Sequence, residues 1–275
     1  MLRKALLVPP GKKVKLKRYD PDDTLGFKND AKSQQMLEKS LRRLDALQYL
    51  LYASKKCALL IILQAMDCGG KDGTIRHVMS GVNPQGCRVT SFKTPSAEEA
   101  AHDFLWRIHK AIPDRGEIGI FNRSHYEDVL VVRVHKLVPE AVWSKRYEQI
   151  NRFERILAEN KVKILKFYLH ISKKEQKKRI QERLKDPTKN WKLSPEDFKE
   201  RKYWNDYMEA YEDALRYCST PWAPWYIIPS NKHWFRNLAV SHIIIKAMED
   251  LNMKFPKPTF DIRRAGVVTL VRSHK

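Results

Sequence analysis

Short apolar segments alternate with longer amphipathic segments along most of this chain. Residues 57–64 (CALLIILQ) form a continuous apolar run bounded by lysines and glycines, which is typical of a strand buried on both faces of a parallel sheet. Similar runs predict four more strands, at 87–92, 117–121, 162–170 and 225–228. Helices are predicted at 30–55, 96–112, 124–135, 140–159 and 232–252. This alternation predicts a three-layer α/β/α fold around a five-stranded parallel sheet.

One long segment, residues 172–218, breaks this pattern because it is highly charged and aromatic. Its place between the fourth and fifth predicted strands favours a helical lid that folds over the strand ends. The lid belongs to a predicted domain at 30–255, which follows an irregular N-terminal arm at 1–29 and precedes a C-terminal tail at 256–275. An apolar run in the tail is compatible with an edge strand or a loose extension. The long helix at 232–252 offers a surface to a second copy of the chain, which favours a homo-oligomer.

The charge balance indicates a polyanionic partner. The chain has 53 lysines and arginines against 32 aspartates and glutamates, so its formal net charge is +21 and its pI is near 9.8. Such a surface attracts nucleic acid, an anionic membrane or an inorganic phosphate chain, and net charge does not distinguish them. No apolar run approaches the ~18 residues of a membrane span, and the four cysteines form no CxxC pair, which favours a cytoplasmic protein.

The turn after the first predicted strand has the composition of a phosphate-binding loop. Its sequence, A-M-D-C-G-G-K-D-G-T at 65–74, contains three glycines that let successive backbone N–H groups surround a phosphate before a helix begins. The match to G-x-x-x-x-G-K-[ST] is incomplete, because Ala65 replaces the first glycine and Asp72 replaces the magnesium-binding hydroxyl. A glycine-rich turn with a surface lysine, Lys71, is the alternative interpretation.

Two carboxylates bracket this turn. A carboxylate beside a phosphate is unfavourable unless a cation neutralises it, and magnesium bound by one or two carboxylates plus phosphate oxygens meets that need. We therefore expect a metal at Asp67 and, with less support, at Asp72. Asp72 would alternatively be a first-turn residue that interacts with the helix dipole.

A second polar motif, N-R-S-H-Y-E-D, follows the third predicted strand. An acidic residue at this place supports magnesium in P-loop enzymes, but here the position is Asn122, so Glu127 or Asp128 would compensate one turn later. Arg123 is placed to neutralise charge on a transferring phosphoryl group. The alternative is a strand end capped by Ser124, with Arg123 paired to a local acid.

The cations of the predicted lid form two groups. The first has the spacing of a solvated helix face: Lys173, Lys174, Lys177 and Lys178. The second is interleaved with Trp191: Arg179, Arg183, Lys185, Lys189 and Lys192. The proline-punctuated turn D-P-T-K-N-W-K-L-S-P-E-D could bring cations of the second group over phosphates.

Four separated segments together resemble the polyphosphate kinase 2 family. They are AMDCGGKDGT at 65–74, VNPQGC at 82–87, IFNRSHYEDVLVVRVH at 120–135 and RLKDPTKNWKLSPEDFKERKYWNDY at 183–207. The resemblance implies a P-loop kinase core with a helical lid. It also implies phosphoryl transfer, dependent on magnesium or alternatively manganese, between inorganic polyphosphate and nucleoside mono- or diphosphates. Adenine nucleotides, and guanine nucleotides in addition, are the implied partners.

The resemblance assigns roles by motif. The implied catalytic residues are Asp67, Lys71, Asn122, Arg123 and Glu127, of which Asp67 and Glu127 would bind the metal. The implied phosphate-binding residues are Gly70, Lys71, Asp72, Arg183 and Lys192, to which the composition of the loop and lid adds Gly69, Gly73, Thr74 and Lys189. Many members have an aspartate where this chain has Asn122. The asparagine version resembles a subgroup that accepts both nucleoside mono- and diphosphates, with Glu127 bridging metal and nucleotide.

Two alternative functions stay open at the level of the sequence. One is an ATP-dependent small-molecule or nucleotide kinase that never uses polyphosphate. The other is a nucleic-acid-binding protein, in which basic and aromatic residues grip a sugar-phosphate chain, although no recognition helix or RNA-binding signature supports it. We therefore expect neither nucleic acid nor a membrane as a partner.

Overall fold

Five parallel strands form one sheet in the computed structural model, which describes residues 2–259 apart from the side chain of Asp197. The strands are β1 (Ala58–Gln64), β2 (Cys87–Ser91), β3 (Ile118–Asn122), β4 (Val162–His170) and β5 (Trp225–Pro229). Their order across the sheet is β2-β3-β1-β4-β5, so β1 lies at the centre. Leu59 is in register with Ile118 of β3, and Ile61 with Leu165 of β4. The predicted α/β fold with a parallel sheet is confirmed.

The helices cover both faces of this sheet. They are α1 (Leu2–Leu6), α2 (Ala31–Ser54), α3 (Lys71–Val78), α4 (Ala97–Ala100), α5 (Trp106–Lys110), α6 (Val131–Val134), α7 (Glu140–Glu159), α8 (Lys173–Lys185), α9 (Pro195–Glu200), α10 (Trp204–Cys218) and α11 (His233–Glu249). Short 3-10 helices lie at Leu16–Arg18, Pro84–Gly86, His125–Asp128, Asn190–Lys192 and Arg201–Tyr203. No helix within residues 2–259 is long and apolar enough to cross a membrane.

Alternate residues of β1 supply the two cores. Ala58, Leu60 and Ile62 face a cluster that contains the apolar side chains of α7 and α10. Leu59, Ile61 and Leu63 face a second cluster that contains those of α2 and α11. All seven residues of β1 are buried, as expected for a central strand covered by helices on both faces.

Two predicted helices are shorter in the structure. The predicted helix at 96–112 is divided into α4 and α5, because the Asp103 side chain accepts a hydrogen bond from the Leu105 N–H at 2.9 Å and starts a new turn. The predicted helix at 124–135 becomes a 3-10 helix followed by α6. There the Ser124 hydroxyl accepts from the Tyr126 N–H at 3.2 Å. Side-chain hydrogen bonds to the backbone interrupt both helical patterns.

The two ends of the chain also differ from expectation. The N-terminal arm contains α1, and beyond it the Val8 N–H donates to the Trp225 carbonyl at 2.9 Å, so the arm packs beside β5. Helix α11 buries its apolar side chains against the sheet and α2 rather than presenting them to a second copy. Most of the C-terminal apolar run, from residue 260 onward, lies outside the described residues.

Candidate active site

The phosphate loop connects the carboxyl end of β1 to α3. Two of its residues have left-handed backbone conformations, Cys68 at φ 61° and Gly70 at φ 101°. A Cβ atom at Gly69 would lie 2.4 Å from the Ala65 side chain, and one at Gly70 would lie 2.1 Å from Nη1 of Arg236. These two glycines are therefore required for the loop to close tightly before α3 begins.

Lys71, the first residue of α3, folds back into the loop. Its Nζ donates to the Ala65 carbonyl at 3.0 Å. Burial, together with the nearby Arg123, lowers the pKa of this ammonium, although Asp67 and Glu127 act in the opposite direction. A desolvated cation inside a loop of backbone N–H groups is suited to bind a phosphate.

Arg123 brings the two sequence motifs together. It follows β3 in a left-handed conformation, at φ 64°, and its backbone N–H donates to the Leu63 carbonyl at 3.1 Å. Its Nη2 donates to Oδ1 of Asp67 at 2.8 Å, and its Nη1 lies 3.6 Å from Oε2 of Glu127. Burial lowers the pKa of Arg123, but Glu127 and Asp67 outweigh it, so the pKa is raised and the guanidinium stays charged.

The residues around Arg123 fit a magnesium ion. Asp67 and Glu127 converge on one cationic group, and both carboxylates are partly accessible. Gln64 donates to Glu127 at 3.0 Å, while its buried Oε1 has no partner among the described residues. The described side chains contain no cluster of three or more His, Cys, Asp or Glu residues that could hold a metal. A hard cation here would therefore take its remaining ligands from water and substrate phosphates.

Asn122 contacts the phosphate loop. Its amide donates to Oδ1 of Asp72 at 2.8 Å, and Nζ of Lys192 from the lid lies 3.6 Å from Oδ2 of the same carboxylate. Burial raises the pKa of Asp72, but the Asn122 hydrogen bond and the Lys192 charge outweigh it, and the net shift is downward. Asp72 therefore joins loop, second motif and lid through hydrogen-bonding and ionic contacts.

The three predicted lid cations differ in position. Lys192 reaches the phosphate loop through Asp72. Lys189 instead pairs with Asp186 of its own turn at 2.6 Å. Arg183 is half-buried and forms no ion pair among the side chains that the structure describes. The structure thus brings Lys192 to the site, while phosphate binding by Arg183 and Lys189 stays a prediction.

Three further residues hold the loop in place: Gln176 and Arg236, which the sequence did not indicate, and Arg179, which it indicated only as one of the lid cations. Nη1 of Arg179 donates to the Cys68 carbonyl at 3.0 Å, and its Nη2 donates to the Ser230 carbonyl at 2.6 Å. Gln176 donates to the Asp67 carbonyl at 2.9 Å. Arg236 packs beneath Gly70. The spacing of Gln176, Arg179 and Ile180 on one face of α8 was an available signal, but Arg236 offered none.

A fully buried ionic cluster lies behind the second motif. Glu154 of α7 pairs with Lys166 of β4 at 2.5 Å. The Tyr126 hydroxyl donates to Glu154 at 2.9 Å and accepts from Lys166 at 2.7 Å. His125 Nε2 lies 3.2 Å from Glu154. The His-Tyr part of the motif is therefore structural: it fixes the turn that carries the site residues.

Comparison with known proteins agrees with this geometry. Residues 27–256 match the profile of the family described as Polyphosphate kinase 2 (PPK2). The chain belongs to the polyphosphate kinase 2 family. The match to PPK2 includes the phosphate loop, the second motif and the lid, so the resemblance identified from the four sequence segments is confirmed.

Individual PPK2 relatives cover nearly the whole chain. It is 54% identical to an AMP/ADP-polyphosphate phosphotransferase of Meiothermus ruber over 91% of this chain and 94% of the relative. It is 47% identical to an ADP-polyphosphate phosphotransferase of Rhodopseudomonas palustris, with 93% of each covered. The crystal structure of Polyphosphate Kinase 2 from Arthrobacter aurescens superimposes with a TM-score of 0.93 at 42% identity, covering 98% of this chain and 96% of that one. The P-loop kinase-like fold expected of a PPK2 protein is confirmed.

Proposed function

We propose that this protein transfers the terminal phosphoryl group of inorganic polyphosphate to AMP and ADP and catalyses the reverse reactions. The observation that carries the proposal is the convergence of Lys71, Asp67, Arg123 and Glu127 at the carboxyl ends of β1 and β3. This arrangement supplies a phosphate cradle, a pair of carboxylates for a metal and a cation for the transferring group. The names of the two relatives support polyphosphate and adenine nucleotides as the substrates.

The chain's own residues support in-line transfer. A terminal phosphate oxygen of the nucleotide attacks the terminal phosphorus of the polyphosphate, the bridging P–O bond breaks, and its electron pair leaves with the shortened chain. The N–H groups of residues 69–74 and Lys71 hold the donor phosphate, and Arg123 neutralises developing negative charge. Magnesium, or alternatively manganese, bound by Asp67 and Glu127 would supply further charge neutralisation between the phosphates. The enzyme needs no covalent intermediate.

Three further proposals extend this function. Guanine nucleotides serve as additional acceptors, the active form is a homo-oligomer, and the enzyme acts in the cytoplasm. The reducing character of that compartment suits the four cysteines, whose spacing includes no CxxC pair. Acceptance of both nucleoside mono- and diphosphates follows from the Asn122 version of the second motif, in which the amide of Asn122 donates to Asp72 in the loop.

The decisive test uses purified protein, long-chain polyphosphate, magnesium and either AMP or ADP. Nucleotide products are separated by chromatography, with a parallel reaction in which a chelator removes the metal. We expect ADP from AMP and ATP from ADP, and neither product in the chelated reaction. Phosphorylation of a small acceptor from ATP, without transfer from polyphosphate, would instead identify an ATP-dependent kinase.

Lys192→Ala is expected to raise the KM for polyphosphate about fivefold with little change in the KM for nucleotide, because a partly exposed lysine contributes modestly to binding an anion. The matched variant is Lys189→Ala, whose lysine pairs with Asp186 and is expected to matter less. Initial rates at varied polyphosphate concentration measure both. An equal or larger effect of Lys189→Ala would show that the contact between Lys192 and Asp72 does not mark the phosphate path.

A further inference from the structure

Gln64 is the last residue of β1 and the one polar residue in that strand. Its side chain is fully buried, although glutamine is mostly found at protein surfaces. Leu60 and Ile62 face the core that α7 and α10 cover, and side chains two positions apart along a strand point to the same face. Gln64 therefore extends this buried face to the carboxyl end of β1, where the active site begins.

The amide nitrogen of Gln64 has a defined partner. Nε2 donates to Oε1 of Glu127 at 3.0 Å. The other carboxylate oxygen, Oε2, lies 3.6 Å from Nη1 of Arg123. The two oxygens of Glu127 therefore have different neighbours, a neutral amide at one and a cation at the other, and this difference sets the orientation of the carboxylate plane.

The amide oxygen of Gln64 lacks a donor. An ionised carboxylate only accepts hydrogen bonds, so the nitrogen of this amide faces Glu127 and the oxygen is the remaining end. Oε1 is buried and has no hydrogen-bond partner among the residues that the structure describes. A buried acceptor without a donor is unfavourable, which indicates that a group from outside the chain supplies the hydrogen bond.

A hydrated metal ion supplies such a donor. Magnesium retains several waters when carboxylates and phosphates bind it, and each of these waters donates hydrogen bonds to acceptors around the site. Asp67 and Glu127 provide two carboxylates here, and the described side chains include no group of three or more His, Cys, Asp or Glu that could hold a metal. Waters would therefore complete much of the coordination sphere, next to the amide that holds Glu127.

We propose that Gln64 is a positioning residue for the metal: its amide nitrogen holds the Glu127 carboxylate in place, and its amide oxygen accepts a hydrogen bond from a water of the metal's hydration shell. This inference rests on the proposed function and adds a residue that binds neither the metal nor a phosphate directly. A neutral amide fits this role because it contributes both a donor and an acceptor without adding charge beside Glu127 and Arg123.

The test variant is Gln64→Met, because methionine is flexible, has a similar length and lacks the amide. Mn²⁺, which prefers the same oxygen ligands as magnesium, is titrated into the full-length protein without substrates, and the free ion is followed by electron paramagnetic resonance. We expect the dissociation constant for Mn²⁺ to rise about tenfold in the variant, the usual effect of removing an outer partner of a metal ligand. The KM for magnesium in phosphoryl transfer should rise by a similar factor, while the KM for polyphosphate at saturating magnesium should stay within about twofold.

The matched control is Gln48→Met. Gln48 of α2 is also a buried glutamine, 1% exposed, and its Oε1 also has no partner among the described residues. It packs against Gly86, which precedes β2, so it lies at the opposite end of the parallel sheet from the active site. Its replacement should leave the dissociation constant for Mn²⁺ within about twofold, because distant sites do not couple.

Three results would overturn the role of Gln64. They are an unchanged dissociation constant for Mn²⁺ in Gln64→Met, an equal rise in Gln48→Met, and an unmodified protein that transfers phosphate with magnesium but binds no Mn²⁺ without substrates. Failure of the proposed function looks different, because the unmodified protein would then form neither ADP from AMP nor ATP from ADP with polyphosphate, whatever its affinity for Mn²⁺.

Discussion

Replacing Lys71 with methionine is expected to lower the rate constant of phosphoryl transfer about a thousandfold, the effect of removing a cation that stabilises transition-state charge. Methionine retains most of the apolar stem, so the variant isolates the loss of the ammonium group. In the folded protein this ammonium donates to the Ala65 carbonyl inside the phosphate loop. Initial rates with saturating polyphosphate and ADP measure the effect.

The same variant is expected to unfold at an unchanged or higher temperature. Burial and Arg123 lower the pKa of Lys71, so folding disfavours its charged form. This destabilisation is fully present at pH values below the lowered folded pKa, and it is relieved as the pH rises toward the unfolded pKa. Removing the charge therefore does not destabilise the fold at neutral pH.

Lys56→Met is the matched control, because Lys56 is exposed and precedes β1, whose other end leads into the loop. It should leave the rate constant within about twofold, as is usual for a surface substitution. Retention of more than about a tenth of the activity in Lys71→Met would contradict the role of Lys71 in the phosphate cradle. A large fall in the unfolding temperature would contradict the sign of the stability prediction.

Glu154→Leu is expected to lower the free energy of unfolding by about 3–5 kcal/mol, because it leaves the Lys166 ammonium buried without its counter-ion. Burial raises the pKa of Glu154, but Lys166 and His125 outweigh it, so the pKa of this carboxyl is lowered. At roughly 2–4 °C per kcal/mol for a chain of this size, the unfolding temperature should fall by about 10 °C or more. Thermal and urea denaturation measure both quantities.

The double variant Glu154→Leu with Lys166→Met distinguishes loss of an ion pair from loss of packing. Replacing both charged partners by apolar residues of similar size is often neutral, so most of the lost stability should return. A double variant as unstable as the single variant would indicate that the hydrogen bonds to His125 and Tyr126 carry the stabilisation instead. The phosphoryl-transfer rate of the double variant, compared with that of the unmodified protein, would then measure how strongly the buried cluster positions the second motif.

Most of the sheet was predictable because central parallel strands are buried on both faces. The run CALLIILQ has no competing interpretation of similar strength, and the structure places β1 at the centre of the sheet. The shorter helices were harder to predict. Asp103 and Ser124 each replace a helical hydrogen bond by a side-chain contact, a local competition that apolar periodicity does not reveal.

The part of the site that lies within a single motif was predictable from the sequence. Gly69, Gly70 and Lys71 are adjacent in the chain. A glycine-rich turn between a strand and a helix is typical of a phosphate-binding site. The pairing of Asp67 with Arg123, 56 positions apart, follows from the hydrogen bonding of β1 to β3, which places the ends of the two strands side by side. The sequence favoured a metal role for Asp67 before this pairing was visible.

The sequence by itself determined the parallel sheet, the phosphate loop, the family and the excess of positive charge, because each depends on residues that are close in the chain or on composition alone. Only the tertiary structure decided which cations face the substrate path. Lys192 and Lys189 look alike in sequence, yet Lys192 lies near Asp72 of the phosphate loop and Lys189 pairs with Asp186 of its own turn. The physical reason is that a lysine's role depends on the charges that packing brings near it, and those come from distant parts of the chain.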